Sequence, residues 1–150
     1  MRQPPAQGGR EHPIMRLTLH TDYAIRVLVY LACNEGRRVS VHEISTHHGI
    51  SHNHLVKVVN RLSNSGIVEA RRGRSGGLHL PRIPQDIIIG DIVRLMEADI
   101  RAIVSCQPEN GQHCVLADIC RLRHLLSRSL DAFMEVLDQT TLHDIMPREI

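Results

Sequence analysis

No stretch of the 150 residues is long and apolar enough to cross a membrane as a helix, which takes about 20 consecutive apolar residues. Nor does the chain open with a charged segment, an apolar one and a small-residue cleavage site, the pattern of a secretory leader. A cytoplasmic protein with no membrane partner is expected. Cysteine is scarce: Cys33, Cys106, Cys114 and Cys120 are all there is. In a reducing compartment four thiols serve as metal ligands, redox groups or core residues rather than as a disulfide framework. Missing too is any thiolate set beside a base, the arrangement that a cysteine-dependent redox enzyme needs. The chain is therefore not expected to be an enzyme.

What is present is charge, unevenly placed. The formal net charge is +2, yet residues 1–82 carry twelve Lys or Arg against five Asp or Glu, a balance of +7, and residues 83–150 carry six against eleven, a balance of −5. A basic first half points to phosphate contact at one end of the molecule; unevenly solvated surface is the plainer alternative. A chain of this length supports one compact domain, or a small domain with an appended helical element.

Residues 1–14, with Pro4-Pro5 and Gly8-Gly9 and almost no apolar periodicity, read as a disordered leader. Residues 15–82 read as a DNA-binding domain. Ala24, Val27, Leu28 and Leu31 follow helical spacing, with Thr21 or Asp22 as N-cap. Cys33 ends the same apolar run and is expected to pack as a small hydrophobe. Ser40 with Glu43 three residues on forms a plausible capping box for a short second helix that stops at Gly49. Ser51 caps a third helix whose apolar face is Leu55, Val58, Val59 and Leu62. Its other face holds Asn53, His54, Lys57, Asn60, Arg61 and Asn64, side chains that donate to phosphates and base edges in a major groove. Helix, glycine turn, helix is a helix-turn-helix layout. The segment from Ile67 to Leu80 then reads as two short strands around an Arg-Gly tip, a wing whose Arg71, Arg72 and Arg74 reach phosphates or a minor groove.

Residues 83–150 read as a cysteine loop and a dimerisation helix. Pro81 and Pro84 mark a linker, and a short helix is expected from Gly90 or Asp91. From Asp118, the positions Ile119, Leu122, Leu126, Leu130, Phe133 and Leu137 advance by three or four residues, giving one long helix. Its apolar surface calls for a twin in a homodimer, which places two reading helices about 34 Å apart, one duplex turn, on a near-palindromic operator. The fold class is thus mainly α: a winged helix-turn-helix with a small β wing and a long C-terminal dimerisation helix.

Cys106, Cys114 and Cys120 can converge on one metal-type site, with Pro108 and Gly111 letting the loop fold back. Zinc sites favour cysteine pairs two to four residues apart, which these gaps fit poorly. Iron-sulfur clusters tolerate wider spacing, and three cysteines with no cofactor are the remaining reading. Asp22 is explained locally as a first-turn carboxylate favoured by the helix dipole. Most of the eleven histidines are surface or core residues. Among them, His42, His47, His48, His52 and His54 face solvent or DNA.

Several segments together carry a family resemblance over about residues 15–146: Met15-Arg16-Leu17-Thr18 with Thr21-Asp22-Tyr23, Ser51 to Asn60, Arg72-Gly73-Arg74-Ser75-Gly76-Gly77, and Cys120-Arg121-Leu122. The chain resembles the winged-helix regulators that include the NsrR and IscR groups, and within them is most similar to the nitric-oxide-sensing NsrR-type repressors. The resemblance implies a homodimer bound to double-stranded operator DNA. It further implies an iron-sulfur cluster, of the two-iron or four-iron type, held by Cys106, Cys114 and Cys120 and completed by a non-cysteine ligand, Asp22 of the same or the partner subunit. His20, His113 and His124 are alternatives. In the IscR group that ligand is a histidine three residues past the third cysteine; here the position is Arg123, with His124 one further. The first cysteine gap is longer than is usual for the NsrR group. One weak oxygen ligand leaves an iron open to nitric oxide, whose reaction with the cluster is expected to free the cysteine loop, shift the reading heads and relieve repression. The competing expectations are a regulator that reports iron or cluster supply, and a zinc-stabilised protein that binds DNA constitutively.

Overall fold

The computed structural model describes residues 17–73, 76–97 and 120–147. The expected leader at 1–14, Arg74, His113, and the loop bearing Cys106 and Cys114 lie outside the described residues.

Helix α1 spans Leu19–Ala32 and buries Thr21, Ala24, Val27, Leu28, Leu31 and Ala32. It starts earlier than the caps Thr21 or Asp22 predict, with Thr18 at the N-cap position. The cause lies far along the chain. Glu97 Oε1 accepts from the Thr18 N–H at 2.7 Å and from the Thr21 hydroxyl, occupying amide and hydroxyl donors that a helix start otherwise leaves open. The expectation for Cys33 is also corrected. The helix ends at Ala32, and the thiol, one step past the buried stripe, is exposed.

Helix α2 (Val41–His48) is capped by Ser40, whose Oγ accepts the Glu43 N–H at 3.1 Å. Only this half of the capping box forms. The Glu43 carboxylate is taken instead by Arg37 at 2.6 Å and by the Tyr30 hydroxyl at 3.0 Å. Gly49 closes the helix at φ 63°, a left-handed conformation that costs a glycine nothing. Helix α3 (His52–Asn64) follows, with Leu55, Val58, Val59 and Leu62 buried against α1 and α2. The carbonyl of Ser51 starts its ladder, accepting from His54 and Leu55 at 3.1 Å, while the Ser51 side chain makes no cap bond.

Strands β1 (Glu69–Arg71) and β2 (Gly77–His79) pair antiparallel in the register Glu69↔His79, Ala70↔Leu78, Arg71↔Gly77. Leu78 also exchanges both backbone hydrogen bonds with Val39, at 2.8 and 3.0 Å. The wing is therefore tied at its base to the segment before α2. Ile67 and Val68, read as strand residues, precede β1 and are buried in the core.

A 3-10 turn at Pro84–Asp86 leads to α4 (Ile89–Met96), which begins one residue before the expected Gly90. The long helix α5 spans Arg121–Asp138 and crosses α4 at Gly90, where an added Cβ would overlap the Asp138 carboxylate. Arg94 grips that carboxylate through two bonds of 2.6 Å. A short α6 (Leu142–Ile145), which no periodicity announced, carries a full capping box between Thr141 and Asp144. Leu142 N–H donates to the Ile87 carbonyl at 2.8 Å, and Ile89 N–H to that of Thr140 at 2.9 Å. One hydrophobic core holds α1, α3 and α4 together with Ile87, Met134 and Leu142, so it runs across the division drawn at residues 82 and 83.

Candidate nucleic-acid interface and cluster ligands

Burying Leu55, Val58, Val59 and Leu62 turns the opposite side of α3 outward, because residues three and four apart share a helix face. Asn53, His54, Lys57 and Asn60 are all exposed there, and Ser51 stands exposed at the helix start. The helix contains no acidic residue, and Lys57 is the only lysine in the chain. This is a face rich in donors and free of carboxylate. Arg61 departs from the expected set: its Nη1 donates to the Met96 carbonyl at 3.2 Å, committing one guanidinium nitrogen to the end of α4. On the wing, Arg71 and Arg72 are exposed, and Arg71 Nε pairs with Glu69 at 3.0 Å. Arg74 is outside the described residues.

Two of the four expected cluster ligands are described. Cys120 occupies the N-cap position of α5 and is half-buried. Asp22 lies in the first turn of α1, half-exposed, and holds Arg26 Nε at 2.9 Å. His20 and His124 are exposed, on α1 and α5. Among the described residues no group of three His, Cys, Asp or Glu converges as a metal site.

Side chains that periodicity did not single out link these parts. Tyr23, next to Asp22, stacks on His54 of α3 with ring centroids 6.3 Å apart and planes 23° from parallel. At Glu97, burial pushes the carboxyl up, but the hydrogen bonds from Thr21 and Thr18 outweigh it and the net shift is downward. His48 is held below its ordinary value, chiefly by burial and then by His47 and Arg26. Tyr30 packs against both of these histidines, with centroids 4.7 Å away for His47 and 5.7 Å for His48. These contacts join residues distant in the chain, so spacing carries no trace of them. Along α5, Leu122, Leu125, Phe133 and Val136 remain 43–65% exposed.

A helix-turn-helix with an outward polar, carboxylate-free second helix, followed at once by a two-stranded arginine-bearing wing, defines a winged-helix DNA-binding protein. No helix among the described residues is long and apolar enough to cross a membrane. The chain belongs to the Rrf2 family, whose sequence profile, described as an iron-dependent transcriptional regulator, matches residues 17–148. It is a transcriptional regulator of that family. It is 44% identical over 133 residues to the HTH-type transcriptional regulator NsrR of Bacillus licheniformis, covering 88% of this chain and 92% of that protein. Among solved structures it resembles CymR, described as the global cysteine regulator of B. subtilis, with a TM-score of 0.70 and 31% identity over 88% of this chain and 96% of the other. The IscR structure from T. potens has a TM-score of 0.70 at 26% identity, covering 87% of this chain and 85% of that one.

Proposed function

We propose that the chain is a homodimeric repressor that binds operator DNA through α3 and the wing, and that an iron-sulfur cluster on Cys106, Cys114 and Cys120 makes this binding sensitive to nitric oxide. The genes it controls would be those of nitrosative stress or denitrification. The observation that carries the reading is the outward face of α3, with Asn53, His54, Lys57 and Asn60 in one row and no carboxylate among them. The name of the B. licheniformis relative, NsrR, supports the sensing half.

The described donors suit such a cluster in their chemistry. Cys120, a thiol, opens α5 at its N-cap position and is half-buried. Asp22 is half-exposed, with Arg26 one turn along its own helix as partner, and is free to exchange that neighbour for a metal. When bound, the cluster supplies an iron with one weak oxygen ligand, open to a small molecule. The protein does the rest. Glu97 already holds the start of α1, so ligation of Asp22 would act by tying that fixed start, and through the Tyr23–His54 stack the reading helix, to the Cys120 end of α5. Loss of that tie would release the start of α5, and the two reading heads would lose their spacing on the operator. Ser51, Lys57 and Asn60, with Arg71, Arg72 and Arg74, supply phosphate and base contacts, and Arg61 adds its remaining guanidinium nitrogens.

The test is anaerobic purification, with visible absorption recorded before and after nitric oxide and with iron, sulfide and zinc assayed alongside operator binding. A brown protein that bleaches with nitric oxide and releases the operator is expected, as is loss of cluster-dependent binding in Cys114→Ala. A colourless protein with stoichiometric zinc, or a coloured one whose operator binding ignores nitric oxide, overturns the sensing mechanism.

A further inference from the structure

At the base of the wing, with no lining residue from α3, a cleft of about 430 Å³ opens between the end of α1, the loop after it and the chain leaving β2. Its lining is strongly basic: Arg37, Arg38, Arg82 and His79 face a single acidic residue, Glu35. Arg37 is occupied by Glu43 and Asn34. The others are not. Arg82 makes no ion pair among the described residues, Arg38 Nη1 is buried without a hydrogen-bond partner, and so is His79 Nδ1. His79 Nε2, on the far side of the ring, lies 3.5 Å from Glu69. Buried polar atoms without partners are costly and rare in folded proteins. Two of them lining one basic cleft mark a place where an acceptor belongs.

We propose that this cleft binds a small free anion carrying a phosphate or carboxylate group. A phosphate or carboxylate offers oxygens to the Arg38 guanidinium and, when both ring nitrogens of His79 carry protons so that Nε2–H faces Glu69, to His79 Nδ1–H; Arg82 adds charge at the rim. The site is built by the fold. Val39 and Leu78 exchange both backbone bonds, which fixes Arg38 and His79 side by side on adjoining strands, and Leu31 and Ile83 close the apolar side. The volume suits a small metabolite. No lining residue comes from α3 or the wing tip, so the oxyanion is a free molecule and not a backbone phosphate of the operator. Because β2 is one wall of the cleft and one strand of the wing, the bound anion and the operator change each other's affinity by the same factor.

Amide NMR of the full chain, titrated with inorganic phosphate and separately with succinate at ionic strength fixed with sodium chloride, tests this. Saturable shifts confined to Gly36, Arg38, His79 and Leu80 are expected, with an apparent Kd raised about tenfold or more in Arg38→Gln, the loss of one charge-assisted hydrogen bond. Arg128→Gln, on α5 and outside the cleft, should leave the titration unchanged. His79→Phe supplies a second variant should Arg38→Gln fail to fold. Shifts no larger than those from chloride, or unaltered in the folded variants, overturn the proposal. So does a weakening of Arg38→Gln on duplexes of unrelated sequence with a shallower salt slope, which would place a DNA phosphate in the cleft.

Discussion

In the proposed homodimer, Val136→Glu should separate the protomers while leaving each one folded. Val136 is 65% exposed, and with Leu122, Leu125 and Phe133 it leaves α5 with apolar surface that the protomer itself does not cover. Complete burial of such a side chain is worth about 1.5–3 kcal/mol, so covering the remaining two thirds of Val136 contributes about 1–2 kcal/mol per protomer. A two-fold interface counts every residue twice. The substitution thus removes about 2–4 kcal/mol and sets two carboxylates in the contact, raising the dimer Kd by about thirtyfold to a thousandfold. Sedimentation velocity across a dilution series reads the dissociation midpoint, and thermal unfolding monitors the fold. Because Val136 lies outside the buried core, its loss should shift the unfolding of the monomer little. A dissociation midpoint within about threefold of the parent would show that this face of α5 is not the dimer contact, and the two-headed reading of the operator would fall with it.

Lys57, the single lysine, should be protected from amine-reactive labelling by operator DNA. Lys57→Gln should lower the slope of log affinity against log salt by about 1, and full labelling within a saturated complex refutes its placement at the DNA. Replacing Glu97 with Ala removes the acceptor for Thr18 and Thr21 and should cost about 1.5–3 kcal/mol in chemical denaturation; Glu97→Gln, which retains one acceptor, should cost less, and equal costs would show that charge rather than acceptance matters. The Glu97 carboxyl is held below its ordinary 4.5, so its contribution is complete above that pH and lost as pH falls through the lowered folded value. His48 is held below 6.5 in the folded chain, so the unfolded chain binds the extra proton first. Stability should decline as pH drops from about 6.5, and His48→Asn should flatten that part of the profile; an unchanged profile assigns the decline elsewhere.

The elements that sequence spacing revealed are those whose packing partners lie close in the chain. Gly49 between Ile44 and Leu55, with Ser40 ahead, specifies α2, the turn and α3 almost residue by residue, because periodicity and capping are local. The start of α1 was misplaced because the acceptor that extends it, Glu97, stands 79 residues from Thr18. Arg61 looked like one more donor on the reading face, since helical spacing cannot show that the C-terminal carbonyl of α4 lies within its reach. Cys33 followed an apolar run but fell one position beyond its helix, and run length alone does not fix where a helix stops. In the candidate site, Asp22 and Cys120 were legible as motif positions. The Tyr23–His54 stack that joins Asp22 to α3 was not, since it exists only once α1 has packed across α3.

Among the described residues, helix α5 is fastened mainly toward its C-terminal end. Its last turns are fastened by Met134 in the core, by Arg94 on Asp138 and by the backbone bonds of Thr140 and Leu142, whereas residues 121–125 are exposed throughout. Eighteen helical residues make a rod about 27 Å long. A tilt of about 5° at the fastened end would swing the Cys120 end through about 2 Å, so a small adjustment where α5 meets α4 would become a displacement the width of an atom at the cysteine, and a pull on the cysteine would return to the core reduced in travel and multiplied in force.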